Sequence, residues 1–319
     1  MAYSTINKHD TYFNNTLITG DGSSSNALTG VGHRPDFIWM KRRNATGHHR
    51  LIDTNRGISK IINSDLNNAE ATTASYVTAI GSDGWTIGSN TDVNASGGLT
   101  MGWSWSAGGA SPTKTYTVKV VSDSGNKYRF DDFGTSAVTL DLQEGGTYTF
   151  DSSDSTVNSH PFVLGTSSGV DGSYDTGVTY KLDGVTKTYS QYTSGFSSAT
   201  SRQLIITVAA SAPTLYYNCS VHSGMGGAIN TNDTTGSSNF AGSIQSKIST
   251  NSISGFSIVQ WTGTGSTATI GHELGSKPEL IIIKNLDSTT DWRVFHHKIP
   301  GTLGTRSVSY THLTLPTSR

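Results

Sequence analysis

A single cysteine, Cys219, stands in a chain of 319 residues. No intramolecular disulfide can form, so stability must come from packed sheets, assembly or a bound ion. Charge is scarce as well: charged residues make up 14%, and 22 Lys plus Arg against 23 Asp plus Glu leave a net charge of -1. Without a sustained basic surface to neutralise a phosphate backbone, nucleic acid is not an expected partner. Long apolar runs are missing too. Stretches such as Leu280–Ile283 and Val208–Ala210 fall far below the roughly 20 residues of a membrane-spanning helix, and Met1–Asn15 has no apolar core of signal-peptide length. The expectation is a soluble protein, made in the cytoplasm without a signal peptide and without membrane insertion. What the chain does have is 36 glycines and a large share of Ser and Thr beside only 34% hydrophobic residues. That balance suits many short strands joined by turns, an all-β chain, rather than helical bundles.

The chain repeats itself at long range. Phe13–Arg50 lies without a gap on Phe256–Arg293, matching Phe13 with Phe256, Gly20 with Gly263, Gly32 with Gly275, Pro35 with Pro278, Lys41 with Lys284 and Arg50 with Arg293. Each copy reads as a strand, a T-G-x-G-S turn, a second strand, a Gly-x-x-Pro turn and a short apolar strand closed by Lys. The first unit, 1–111, continues to Leu99–Trp105, where alternation puts Met101, Trp103 and Trp105 on one face. Asp65–Ala74 fits either a brief helix or an irregular loop. The second unit, 255–307, is shorter than the first and reads as truncated, and 308–319 resembles the translation of a sequencing adapter.

The middle differs from both. Over 112–230, Tyr116–Val121, Val138–Leu142, Gly145–Phe150, Phe162–Leu164, Leu204–Val208 and Leu215–Asn218 read as short strands, and Asp183-Gly184 is a strong hairpin signal. Seven or eight strands in that span predict a Greek-key β-sandwich. The Ser/Thr/Asn/Gly-rich stretch 231–254 reads as a linker.

One constellation in that middle segment could carry chemistry. Cys219, His222 and Met225 follow an apolar strand in Y-Y-N-C-S-V-H-S-G-M-G-G, and His160 precedes another strand in N-S-H-P-F-V-L. A thiolate, two imidazoles and a thioether suit copper and are too poor in oxygen for magnesium or calcium. Read blandly, Cys219 is a small buried hydrophobe, the histidines are ordinary loop residues and Met225 is packing. The Cys-x-x-His-x-x-Met spacing, the preceding Tyr-Tyr and the Gly-Met-Gly-Gly turn resemble the cupredoxins, the blue-copper domains. The resemblance implies a cupredoxin-like fold with copper as cofactor, His160, Cys219 and His222 as trigonal ligands and Met225 as the axial one. Two departures stand out: Val221 replaces the proline common in that loop, and Pro161 after His160 offers no backbone N–H. The pairs His48-His49 and His296-His297 fall out of register between the copies and read as solvated loop residues. Lys41/Lys284 and Arg50/Arg293, in register, read as structural contacts. No Ser-His-Asp, HExxH or P-loop pattern is recognisable.

The flanking motifs, among them G-V-G-H-R-P-D-F-I-W-M-K, S-D-G-W-T-I-G-S and L-T-M-G-W-S-W-S-A-G-G, resemble a domain of unknown function repeated in tail and virion proteins of marine tailed phages. That resemblance implies jelly-roll or lectin-like sandwiches flanking the central one. It also implies a non-enzymatic virion structural protein, a tail-fibre or receptor-binding component located in the phage tail. Its expected partners are other tail or virion subunits, in a homo-trimeric arrangement, and host-surface carbohydrate, with repetition supplying avidity. The six tryptophans are divided in expectation between core packing and a stacking face. Two further readings stay open: a copper-binding redox or electron-transfer protein, and a polysaccharide-degrading tail enzyme using paired carboxylates.

Overall fold

The computed structural model describes residues 8–298 and the backbone of Val308–Tyr310. Most of the adapter-like ending therefore lies outside the described residues. Strands dominate, and helix is confined to short pieces. Two compact units emerge. One comprises Met1–Ala107, Thr250–Ile258 and Glu273–Arg319, the other Gly108–Ser249 and Val259–His272.

The second of these units is a two-sheet sandwich. Its strands are β1 (Thr113–Ser122), β2 (Asn126–Phe130), β3 (Leu140–Gln143), β4 (Thr147–Asp151), β5 (Phe162–Gly165), β6 (Val178–Leu182), β7 (Val185–Lys187), β8 (Arg202–Thr207), β9 (Leu215–Cys219) and β10 (Gly227–Asn232). One sheet runs in the order β2-β1-β4-β8-β6-β7 and the other β3-β10-β9-β5. Two pairs are parallel, β1 with β4 and β3 with β10; the rest are antiparallel.

Alternation explains which side chains face in. Along β4 the residues Tyr148 and Phe150 are buried while Thr147, Thr149 and Asp151 are half-buried, and β8 alternates likewise. Their rings meet those of the facing sheet: Phe150 lies 4.9 Å from Phe162 and Phe130 lies 5.0 Å from Tyr217, centroid to centroid. Aromatic contacts of this kind dominate the core. At the β6–β7 turn, Asp183 and Gly184 both have positive φ, the tight hairpin geometry that their sequence predicts. A helix, α1 (Tyr189–Gly195), follows β7 and begins with a capping box between Thr188 and Gln191.

The linker expected over 231–254 is instead built into structure. Ser237–Asn239 pairs with Ser246–Ile248, and all three residues of the first strand are buried. The Tyr116 hydroxyl donates to the Ser238 carbonyl (2.8 Å), the Ser238 hydroxyl accepts from Asp141 N (2.8 Å), and Ser237 Oγ meets the Tyr148 hydroxyl (2.9 Å). Phe240, 4% exposed, stacks on Phe130 in the sandwich core. Polar composition misleads here because these hydroxyls satisfy the tyrosine ends and open ladder positions of the core, where an apolar residue would leave them unpaired.

In the first unit, an antiparallel sheet runs in the order Phe13–Thr19, Leu99–Trp105, Phe37–Arg42, Arg50–Asp53. Ile18, Ile38, Met40 and Ile52 on one face pack with Val77, Trp85 and Ile87 of a smaller sheet. Met101, Trp103 and Trp105 do share a face, but it is the other one; their neighbours Thr100, Gly102 and Ser104 face the core. Trp105 lies against Phe13, Phe37 and Phe256. Trp85 and Trp292 are buried, whereas Trp261 is exposed. Asp65–Ala74 holds no helix: Ala71–Thr72 forms a short strand with Lys60–Ile61.

The repeat survives in three dimensions. In the first copy Phe37 pairs with Asp53 and Met40 with Arg50; in the second, Leu280 pairs with His296 and Ile283 with Arg293, the same register. Lys41 and Lys284 each donate to the carbonyl of the next residue. The second copy is not a compact body of its own, however. Its residues are divided between the two units, and Trp292 donates from its indole to the carbonyls of Asn63 (3.0 Å) and Leu66 (2.9 Å) of the first copy. Arg50 is tied to Asp92 and Asn63, a structural role.

Candidate metal centre

Strand pairing brings two sequence-distant residues together. In the antiparallel pair β5–β9, Phe162 lies opposite Cys219, so His160, two residues before Phe162, falls at the same end of the sheet as Cys219. The Ser220 N–H donates to the Pro161 carbonyl (3.0 Å) and closes that end. Pro161 thus contributes an acceptor, although it lacks a donor. His160 is held from both sides, its N–H on the Val157 carbonyl and its own carbonyl accepting from the Tyr128 hydroxyl (2.8 Å).

His222 arrives by a short loop. Between β9 and β10 the chain turns through Ser220–Gly226 and returns in the antiparallel β9–β10 pair, with Tyr217 opposite Gly227. Only glycine fits at Gly226: a Cβ there would lie 1.6 Å from the Tyr217 carbonyl oxygen. The loop is pinned by Tyr128 N donating to the Met225 carbonyl (2.9 Å) and by the Lys127 ammonium on the Gly224 carbonyl.

Three donor atoms converge as a result. His160 Nδ1 is 3.1 Å from His222 Nδ1, and Cys219 Sγ is 3.9 Å and 3.7 Å from those two nitrogens. A point equidistant from the corners of that triangle lies about 2.1 Å from each, the length of ordinary bonds from a transition metal to imidazole nitrogen or thiolate sulfur. Cys219 is fully buried, His160 is 7% exposed and His222 opens to solvent. Burial, with His222 adding to it, depresses the His160 pKa below its ordinary value, which favours the neutral, ligating imidazole. Burial and the neighbouring Cys219 push the Tyr128 hydroxyl well up, keeping it a donor to the His160 carbonyl.

Of the four residues singled out by spacing, the structure draws His160, Cys219 and His222 into one cluster. Met225 is buried in the hydrophobic core to which Cys219 also belongs. Sequence reasoning missed the brace behind His160. Arg202, 4% exposed, donates to the carbonyls of Phe196, Ala199, Ser152 and Asp154 and to Asn158 Oδ1, in the turn that leads into His160. Its only signal in the sequence is a charged residue opening a strand whose centre, Leu204–Ile206, is apolar. The donor set fits a soft or borderline transition metal, since among the described residues no carboxylate joins the cluster.

A family model matches residues 8–131 and 228–313, about two thirds of the chain. The chain belongs to DUF7483, a domain of unknown function. No curated protein and no solved structure matches it. The DUF7483 match runs past 111 through β1 and β2 of the sandwich and resumes inside β10. The stretch between its two segments, 132–227, contains all four expected ligands, so the candidate centre lies in the part of the chain that the DUF7483 model leaves unmatched.

Proposed function

We propose that this DUF7483 protein is a non-enzymatic structural component of a phage virion, a tail-fibre or receptor-binding part, whose central cupredoxin-like sandwich binds one copper ion. The observation that carries the copper reading is the triangle of His160 Nδ1, His222 Nδ1 and Cys219 Sγ, sized for a single ion. The thiolate of Cys219 and the imidazoles of His160 and His222 would hold it, with Met225 as a weaker thioether ligand. Bound there, copper would supply a cross-link between two loops of the sandwich and a one-electron couple. The residues of the chain do the rest. Tyr128, Lys127 and Arg202 fix the loops, and full burial of Cys219 keeps water from the thiolate.

Cu(II) added to the full-length protein should produce an intense visible thiolate-to-copper absorption at a 1:1 ratio, and Cys219→Ala should abolish it. A colourless wild-type protein overturns the copper assignment. The antiparallel pairs β4–β8 and β5–β9, each joining strands far apart in sequence, support the Greek-key, cupredoxin-like reading.

The virion reading is supported by the motifs of the flanking copies, by their low charge and by the repeated hairpin. Mass spectrometry of purified particles should find the protein among the virion components; its consistent absence from particles of a phage that encodes it would sink this reading.

A further inference from the structure

Strand Leu280–Ile283 is apolar throughout and open to solvent. Its four residues are 53%, 39%, 48% and 37% exposed in chain order, on both faces of the strand. One edge pairs with Trp292–His296; among the described residues nothing pairs with the other. Glu279 and Lys284 flank it, but no charge interrupts it. A bare edge of this composition is a template for strand pairing, which folded proteins normally blunt or cover.

The first copy shows what such an edge accepts. There the hairpin has the same register, and the second edge of Phe37–Arg42 carries the antiparallel strand Leu99–Trp105, with Phe37 opposite Trp105, Ile38 opposite Ser104, Trp39 opposite Trp103 and Met40 opposite Gly102. In that setting Ile38 and Met40 are 1% and 0% exposed, whereas their counterparts Ile281 and Ile283 are 39% and 37% exposed. The chain's own Leu99–Trp105 is already paired on both edges, with Phe13–Thr19 and Phe37–Arg42.

We infer that Leu280–Ile283 is a docking edge for an antiparallel strand of the Leu99–Trp105 type, supplied by another DUF7483 unit. The register follows from the repeat: the incoming Ser104 and Gly102 equivalents lie opposite Ile281 and Ile283, and the Trp103 and Trp105 equivalents opposite Ile282 and Leu280. Main-chain hydrogen bonds supply the attraction, and side-chain alternation supplies the selectivity. The edge is held in place beforehand, because Trp292 on the partner strand is 7% exposed and tied to Asn63 and Leu66.

The test uses the full chain and a fluorescently labelled peptide of residues 97–107. Fluorescence anisotropy should show saturable 1:1 binding, and hydrogen exchange of the Leu280–Ile283 amides should slow when the peptide is present. Ile281→Lys in the protein and Gly102→Pro in the peptide should each weaken binding about tenfold or more. Because Ile281 is solvent-exposed, its variant retains the wild-type circular dichroism. No saturable binding, or equal binding of the Gly102→Pro peptide, overturns the proposal. So does concentration-dependent dimerisation of the chain alone that Ile281→Lys abolishes, since Leu99–Trp105 of this chain is paired on both edges and the occupant would then be a different strand of a second copy.

Discussion

Replacing Arg202 by methionine should destabilise the central sandwich by about 3–5 kcal/mol, and the thermal unfolding midpoint should fall by roughly 10 °C. The guanidinium is 4% exposed and its charge is met by oxygens of the turns after α1 and after β4, with Phe196 5.3 Å below it. Methionine would fill much of the volume and stack as well, but it cannot donate. Each carbonyl left buried without a donor costs roughly 1–3 kcal/mol, offset in part by water entering from the Asn158 side. The same change frees the turn that carries His160, so metal affinity should fall along with stability. Arg202→Lys should lie between the two, because a single ammonium cannot span the spread acceptors. Calorimetry or urea unfolding decides the matter; a variant that melts with the wild type would show that the carbonyls find other donors.

Copper should stabilise the folded protein by a comparable amount. A ligand that binds only the native state adds about 4 kcal/mol at a free concentration a thousandfold above its dissociation constant, which raises the midpoint by roughly 10 °C. The triangle of donors exists only when β5 and β9 are paired, since His160 and Cys219 are 59 residues apart in sequence. The unfolded chain therefore offers no comparable site. Cys219→Ala and His160→Ala should remove the shift without removing the fold, and a chelator should reverse it in the wild type. A wild-type melting curve unchanged by Cu(II) would refute a stabilising role.

Individual residues show why some features were legible and others were not. The strands around Tyr148, Phe150 and Leu204 announced themselves because alternate burial leaves alternate residues in the sequence. The Asp183-Gly184 turn did so because few residues accept positive φ at both positions. Helix α1 went unread although Thr188 and Gln191 form a capping box, since it spans two turns and has no clear apolar stripe. The stretch around Ser237 and Ser238 was misread as a linker because hydroxyls in a core look the same, in sequence, as hydroxyls in solvent. Asn126–Phe130 was hidden by its Lys and Arg, whose outward positions come from pairing with β1.

For the site, the sequence by itself placed Cys219, His222 and Met225 in one loop, because a spacing of three residues holds side chains near each other whatever surrounds them. It also specified an all-β chain and the register shared by the two hairpins, since periodicity and turn chemistry act over a few residues. Tertiary structure alone brought His160 within 3.9 Å of Cys219, set Arg202 behind it, drew Ser237–Phe240 into the core and left Leu280–Ile283 with an edge that nothing among the described residues pairs. Each of those outcomes depends on which strands lie side by side. Cross-strand pairing joins residues tens of positions apart, and no local pattern encodes its partner.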